Sequence, residues 1–561
     1  MKRQAEEWIV FAVSVFFFLL SLDGGSVLRS LAFNADVLYP AVVYQDLIID
    51  GNSLQGWSLT PSPFFFPDLF VYFCLRPWIA DGVVSVYVSY LFQVLWLGFS
   101  VFYFLGSENG TTGKRRFEKS SATLVYSFFL ILPSFFSGTF SAIGFASHGG
   151  AFSFSFVSAG MWIRMNARKN APKRVNDKPE DRSSLGTEIE KKTVVHIVRY
   201  VLFAVLQILL LVSDPLYFFY FSLPCGVLNV WEFFVSEKEK RDVRSLLFFG
   251  VVVSAGLYCY RTLTRSDFVF LPTGYYTGTP SWNFWKPIED TIRHQIRSDA
   301  TALLLLVFAY LSLVPIFVFL KKDKGQSPGR TLPQTRSYSL RYRYLLLSVV
   351  LSSLGILGTG TLSGVFRSDG ITLRYLIPLL FCWVPLHILV WSEHRNFFKA
   401  KLKFLYILIL LMIGFSFSSG RTRFSAYEDA LVFCLDEKRK EYGFHKGMSD
   451  FWTSRRIRVF SGTGLRADNF FPDLHPEYWQ NTWNWYTDPS DGEYDFAVTP
   501  GLDRNELINS FGPPKFEITC DKQNILIWDE TSAERFARFR EEKNREIDLW
   551  HKLTGRKRTY R

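Results

Sequence analysis

Apolar residues in this chain gather into unbroken blocks rather than recurring at helical or strand spacing. Crossing a bilayer core takes about 20 such residues per helix. Read this way, the pattern predicts spans at about 8–22, 84–105, 121–146, 150–163, 194–213, 215–234, 243–259, 300–320, 344–365, 371–392 and 403–419, roughly eleven helices in all. Phe64 to Trp78 is also strongly apolar, but counting it as a span would invert every later loop, so a short re-entrant or surface-lying helix is expected there. Beyond residue 420 the pattern changes to charged and turn residues with short alternating runs. Arg421 to Tyr442 reads as a helix, Arg456 to Phe460, Phe516 to Thr519 and Ile525 to Trp528 as strands, and Asp503 to Phe511 as a helix closed by Gly512-Pro513. Thr531 with Glu534 has the form of a capping box for a last, charged helix that runs to about Lys552. The expected fold is therefore an α-helical polytopic membrane protein with a small C-terminal α/β domain. Its expected parts are a membrane domain over 1–420 with a long first outer loop at 23–83, an α/β domain over 421–530, and a charged helix and tail over 531–561.

Composition sharpens this picture. Of 561 residues 48% are hydrophobic and 18% aromatic, 57 of them Phe, which excludes an ordinary soluble enzyme. The net charge of +12 would suit nucleic acid, but Lys and Arg sit in short loops beside apolar blocks, where they act as a topology signal, and no nucleic-acid partner is expected. With a cytoplasmic N-terminus, roughly thirty basic residues fall in inside segments and fewer than ten in outside loops before residue 420. An odd number of spans then leaves the C-terminal domain outside the cytoplasm. The block after Met1-Lys2-Arg3 lacks a small-residue cleavage site before Asp23 and reads as a retained first helix. Six Cys form no CxxC and no Cys/His ligand spacing; Cys434 and Cys520, alone in the outer domain, are free to pair in an oxidising compartment. Residues 166–193 have the composition of a disordered loop.

Ionisable groups near a bilayer are expensive to keep there, which makes each a functional candidate. The first outer loop holds the largest set: Asp23, Arg29, Asp36, Asp46, Asp50, Asp68, Arg76 and Asp81. A carboxylate in a partly dry cleft serves as a general base. Asp46 and Asp50, one helical turn apart, read as a solvated face, and Asp68 reads as a cap for the helix after Pro67. His148 in Ser147-His148-Gly149-Gly150 and Asp214 in Ser213-Asp214-Pro215 both fall in tight outer turns, either facing a cavity shared with Asp36 or serving as plain turn chemistry. A lone His is a weak metal ligand, and no metal or cofactor is expected. Gly355, Gly358, Gly360 and Gly364 lie inside an expected span, where close helix packing accounts for them. The outer domain is dense in rings, among them Trp452, Tyr478, Trp479, Trp483, Trp485 and Tyr486, which suit a small domain's core, a sugar face or a membrane surface.

Asn34-Ala35-Asp36-Val37-Leu38-Tyr39-Pro40, then Gln45-Asp46-Leu47-Ile48 and the Pro-rich aromatic run Pro61 to Tyr72, resembles the first outer loop of the GT-C superfamily of membrane glycosyltransferases. The likeness is closest to the aminoarabinose-transferase and protein O-mannosyltransferase branch. Asp36 and Tyr39 match the first and last places of that branch's Asp-Glu-x-x-Tyr motif, with Val37 where the family often has Glu, and no Lys precedes Pro67 as it would in relatives. Arg374-Tyr375-Leu376-Ile377-Pro378 is similar to the family's Arg-Tyr-Leu-x-Pro element. The resemblance implies transfer of a sugar from a polyprenyl-phosphate carrier to a glycan, lipid or protein acceptor on the outer face of a bacterial inner membrane. It implies Asp36 as the catalytic base, with Arg374 holding the lipid phosphate; Tyr39, Tyr375, His148 and Asp68 are the further substrate-binding candidates. A transporter or flippase for a lipid or small solute is the rival reading, since charges in an outer cavity also mark translocation paths.

Overall fold

A computed structural model of the chain describes residues 2–22, 32–106, 146–169, 182–235, 243–271, 332–362, 427–488 and 492–555, with isolated positions between them such as 126, 144, 375 and 381. Five helices among these are long and apolar enough to cross a membrane: Gly82–Leu105, Val194–Ser213, Phe218–Val235, Val243–Thr264 and Leu340–Gly360. A shorter apolar helix, Trp8–Ser21, precedes them. The chain is a membrane protein by these segments. The spans expected at 121–146, 300–320, 371–392 and 403–419 lie outside the described residues except for single positions.

The helices are α1 (Lys2–Ser21), α2 (Ala35–Tyr44), α3 (Phe70–Leu75), α4 (Gly82–Leu105), α5 (Gly149–Lys169), α6 (Arg182–Ser213), α7 (Leu223–Val235), α8 (Val243–Thr264), α9 (Leu332–Leu347) and α10 (Ser353–Leu362). Lipid offers no hydrogen-bond partners, so the backbone must satisfy itself within each helix. Helix α5 is the enclosed one, packed on α4, and its buried Ser153 and Ser155 hydroxyls return to the carbonyls of Gly149 and Phe152 at 2.8 and 2.6 Å. That return bond lets serines sit at the centre of an apolar bundle. A Cβ on Gly355 would lie 2.5 Å from the Phe219 ring, so this glycine is a packing contact between helices. The outward face of α6 carries Val194, Val198, Leu202, Val205 and Leu209, an exposed apolar stripe suited to lipid. Phe65–Leu69, α3 and Arg76–Trp78 form a short, kinked helical segment well under spanning length. Helical turns also occupy 166–169 and 182–193, at both ends of the stretch expected to be disordered.

The C-terminal domain is built on a five-stranded sheet of order β3-β2-β5-β7-β6, with β2 (Lys446–Ser449), β3 (Arg466–Asn469), β5 (Phe496–Val498), β6 (Phe516–Cys520) and β7 (Gln523–Ile527). Strands β2 and β3 run parallel. Parallel neighbours need a crossover, supplied by α12 (Phe451–Phe460), which follows α11 (Ala430–Tyr442) in the chain. The Arg456–Phe460 stretch expected as a strand is therefore the second half of α12. Its alternation suits a strand, but Asp450 caps the helix by accepting from Trp452 N and Thr453 N at 2.8 and 3.2 Å, and Ile457 buries itself against Leu431, Leu435 and Leu465. Two short elements, β4 (Asn481–Thr482) and α13 (Asn484–Thr487), precede β5. Helix α14 (Arg504–Phe511) is capped by Asp503 and ends at Gly512. Before the last helix, α15 (Ala533–Thr554), the side-chain cap is Asp529, which accepts from Thr531 N at 3.0 Å, and Ser532 stands at the N-cap in place of the expected Thr531. Phe536, Phe539 and Ile547 of α15 share a core with Phe470, Leu507 and Phe511, so the charged last helix has an apolar stripe lying on the sheet domain.

Cys434 and Cys520 are joined, tying α11 to edge strand β6 across 86 residues. Loop closure of that length is worth about 4 kcal/mol in the chain-entropy account. Cys434→Ser is expected to lower the stability of the domain by about 2–4 kcal/mol, read as a fall in the melting midpoint that reductant reproduces in the wild type and does not deepen in the variant.

Candidate functional site

One end of the helices, the loop that follows α1 and the C-terminal domain meet in one region. Asn34 caps α2 by accepting from Val37 N at 3.0 Å, which sets Asp36 in the first turn, where a helix dipole favours a negative group. After α2 the chain winds through a wide turn at Gln45–Ile49 that aims Asp46 inward. The Asp46 side chain is 0% exposed and accepts from Trp57 Nε1 at 2.8 Å, Asn52 Nδ2 at 2.7 Å and Trp485 Nε1 at 2.8 Å. Asp50 pairs with Arg466 at 2.7 Å. The pair expected to form a solvated face is thus the anchor between the loop and the outer domain. Beside it β1 (Trp57–Ser58) pairs antiparallel with β4, and Phe270 stacks on Tyr478. Most of the ring-rich segment is core or interface: Trp479, Trp483, Trp485 and Tyr486 are buried, and Trp452 alone of the six rings named above is exposed.

Asp36 itself is half-buried and accepts from Gln480 Nε2 at 3.3 Å. Gln480 O in turn accepts from Arg455, which also donates to Trp479 O at 2.9 Å. Arg455 is buried, its Nε and Nη1 have no hydrogen-bond partner among the described residues, and it lies close enough to Tyr39 for the two to interact electrostatically. Burial, then the neighbouring Arg458, lowers the Arg455 guanidinium to about 10. Burial raises the Tyr39 phenol far above its usual range despite Arg455, so it stays a neutral hydroxyl whose oxygen has no hydrogen-bond partner. α2 and α12 face each other here.

One layer of side chains further in lies the second group. Tyr39 packs in a cluster with Phe64, Leu69 and Ala146. The Phe64 ring lies 5.1 Å from the His148 ring, which lies 5.2 Å from the Tyr375 ring. His148 Nδ1 is 2.7 Å from Asp214 Oδ2. Asp214 Oδ1 accepts from Ser62 Oγ and Leu216 N, each at 3.1 Å. Asp68 does not cap a helix: Oδ1 accepts from Gln93 Nε2 of α4 at 2.9 Å and from Ala146 N at 3.2 Å, and Oδ2 lies against Gly150, where a Cβ would approach to 2.7 Å. It ties the short kinked segment to α4 and to the turn before α5. Of the residues singled out in sequence, Tyr375, His148 and Asp214 make contact, Asp68 borders them, Asp36 and Tyr39 stand in the adjacent layer, and Arg374 lies outside the described residues. Arg455, Gln480 and Gln93 carried no sequence signal. Arg455 sat in a stretch read as loop and strand, and a Gln inside an apolar block gives no hint of its partner.

Among the described residues no group of three His, Cys, Asp or Glu is arranged to hold a metal ion. No protein-family model matches the sequence, and no curated protein matches it.

Asp46→Ala would orphan three donors, two of them buried indole N–H groups, and a loss of about 2–4 kcal/mol is expected, read as a lower melting midpoint and faster amide exchange around residues 478–488. Glu477, near Arg455 and Asp450, provides a pH test. Burial raises its carboxyl to about 7 against the usual 4.5, with Arg455 opposing. The group favours folding while protonated, so its contribution is full below pH 4.5 and is lost as pH rises through about 7. Glu477→Gln should remove that loss and raise stability at pH 8 by up to about 3 kcal/mol relative to wild type, with little change at pH 4.5, measured by denaturant unfolding at both pH values.

Proposed function

We propose that this protein is a membrane glycosyltransferase that moves a sugar from a polyprenyl-phosphate carrier to an acceptor at the outer face, with inversion at the anomeric carbon. The observation that carries this reading is the convergence of three chain-distant segments at one end of the bundle: the loop helix with Asp36 and Tyr39, the Pro-rich turn with Phe64 and Asp68, and Tyr375 of the late segment. In this reading Asp36 takes the proton of the attacking acceptor hydroxyl or amine while the new bond to the anomeric carbon forms. The bond from that carbon to the phosphate oxygen breaks, and the prenyl phosphate leaves with the electron pair. Cations at the phosphate offset its developing charge, a role proposed for Arg374. Tyr39 shapes the pocket wall, and the outer domain, anchored through Asp46, holds Gln480 on the base.

The Cys434–Cys520 bond and the distribution of Lys and Arg both favour an outer domain in an oxidising compartment with the N-terminus in the cytoplasm; that the membrane is a bacterial inner membrane is what the GT-C resemblance implies. Transfer of labelled sugar from a panel of prenyl-phosphate donors in proteoliposomes tests the activity. Asp36→Asn is expected to cut turnover by about 100-fold or more while leaving the melting midpoint near that of wild type; full turnover in that variant removes Asp36 as the base.

A further inference from the structure

His148 and Asp214 come from two turns 66 residues apart, and both are almost fully enclosed, at 5% and 1% exposure. Their contact is directional. Asp214 is held on Oδ1 by Ser62 and Leu216 N, so Oδ2 is presented to the imidazole. A carboxylate only accepts, which assigns the shared proton to Nδ1 and leaves Nε2 as the working edge. Nε2 meets no partner among the described residues. The ring is fixed by Phe64 at 5.1 Å and Tyr375 at 5.2 Å, the latter the chain neighbour of Arg374.

The backbone around the pair is also held in an unfavourable form. Phe64, Ala146 and His148 adopt φ of +55°, +54° and +70°. Left-handed backbone is unfavourable for a residue with a Cβ, and such outliers gather where the surroundings impose them, often at functional sites. Here Asp68, bound to Ala146 N and pressed against Gly150, imposes the turn that presents His148.

We propose that His148, oriented by Asp214, is a ligand for the phosphate of a prenyl-phosphate lipid, its Nε2–H donating to a phosphate oxygen. This rests on the glycosyltransferase reading and names the part of the site that holds the leaving group. Asp214 acts as a positioning residue that holds the ring by Nδ1, and donation to an anionic phosphate from a charged ring is stronger than from a neutral one. Among the described residues the other titratable groups near the pair are Asp68 on the kinked segment, Tyr260 of α8, which donates to Pro61 O, and Tyr375. A histidine ordinarily changes its charge between about pH 5.5 and 8, the range over which binding is measured.

The test measures binding of decaprenyl phosphate, with decaprenol as the phosphate-free control, to the full-length protein in nanodiscs at several pH values. Wild type is expected to bind the phosphate at least tenfold more tightly than the alcohol and to lose affinity as pH rises from 6 to 8. His148→Gln should lose at least tenfold in affinity and flatten the pH profile; Asp214→Asn, which loosens the hold on the ring, should weaken binding of the phosphate while leaving binding of the alcohol unchanged. Should either variant misfold, carbon-13 NMR of the wild-type histidines with and without decaprenyl phosphate decides, since binding through Nε2 must raise the pH at which one histidine titrates. Equal affinity and equal pH dependence in His148→Gln, or no preference for the phosphate in wild type, overturns the proposal. Binding that depends on His148 without sugar transfer from any donor keeps the lipid-phosphate site and rejects the glycosyltransferase. Transfer that is unchanged in KM and pH profile in His148→Gln does the reverse.

Discussion

A single buried carboxylate decides how the two halves of this protein meet. Asp46 is closed off from water and held by two indole N–H groups and an amide, one indole from its own loop and the other from the outer domain. A buried carboxylate is costly unless its oxygens are saturated. The loop therefore binds that charge well only when the domain is docked, and the domain supplies Trp485 only from that position. The Asp50–Arg466 pair, the β1–β4 pairing and the Phe270–Tyr478 stack then extend a contact already registered by Asp46.

Docking has a chemical consequence. It brings α12 onto α2, and with it Arg455 and Gln480 next to Tyr39 and Asp36. The proposed base is thus braced by a domain that begins nearly 400 residues later in the chain. Beneath this layer the packing turns from polar to aromatic and then polar again at His148, Asp214 and Asp68. The alternation follows from the cost of burying polar groups: the three carboxyl-bearing or imidazole side chains here are hydrogen-bonded, and rings fill the space between.

Much of the architecture was legible in sequence where local sums decide it. Apolar blocks marked the spans at 84–105, 194–213, 215–234, 243–259 and 344–365, within a few residues of the helices found. Asp503 and Gly512 bounded α14 as read, and Cys434 and Cys520 do pair. The misreadings share one cause. Arg456 to Phe460 alternates like a strand but serves as a crossover helix, because two parallel strands had to be joined. Asp46 and Asp50 share a helical face by spacing, yet the turn at Gln45–Ile49 buries one and pairs the other. Asp68 beside Pro67 reads as a cap, and instead bonds to α4 and to the turn ahead of α5.

The amino-acid sequence alone determined that this is a membrane protein with a separate α/β domain at its C-terminal end, because transfer into lipid depends on the residues of each segment and little on their neighbours. It also marked His148, Asp214, Asp36 and Tyr375 as residues of interest. That His148 meets Asp214, that Tyr375 lies near the imidazole, and that Asp46 anchors the C-terminal domain were decided only by tertiary structure. A hydrogen bond depends on where two distant segments come to rest within a few tenths of an ångström, and no local property of either segment carries that distance.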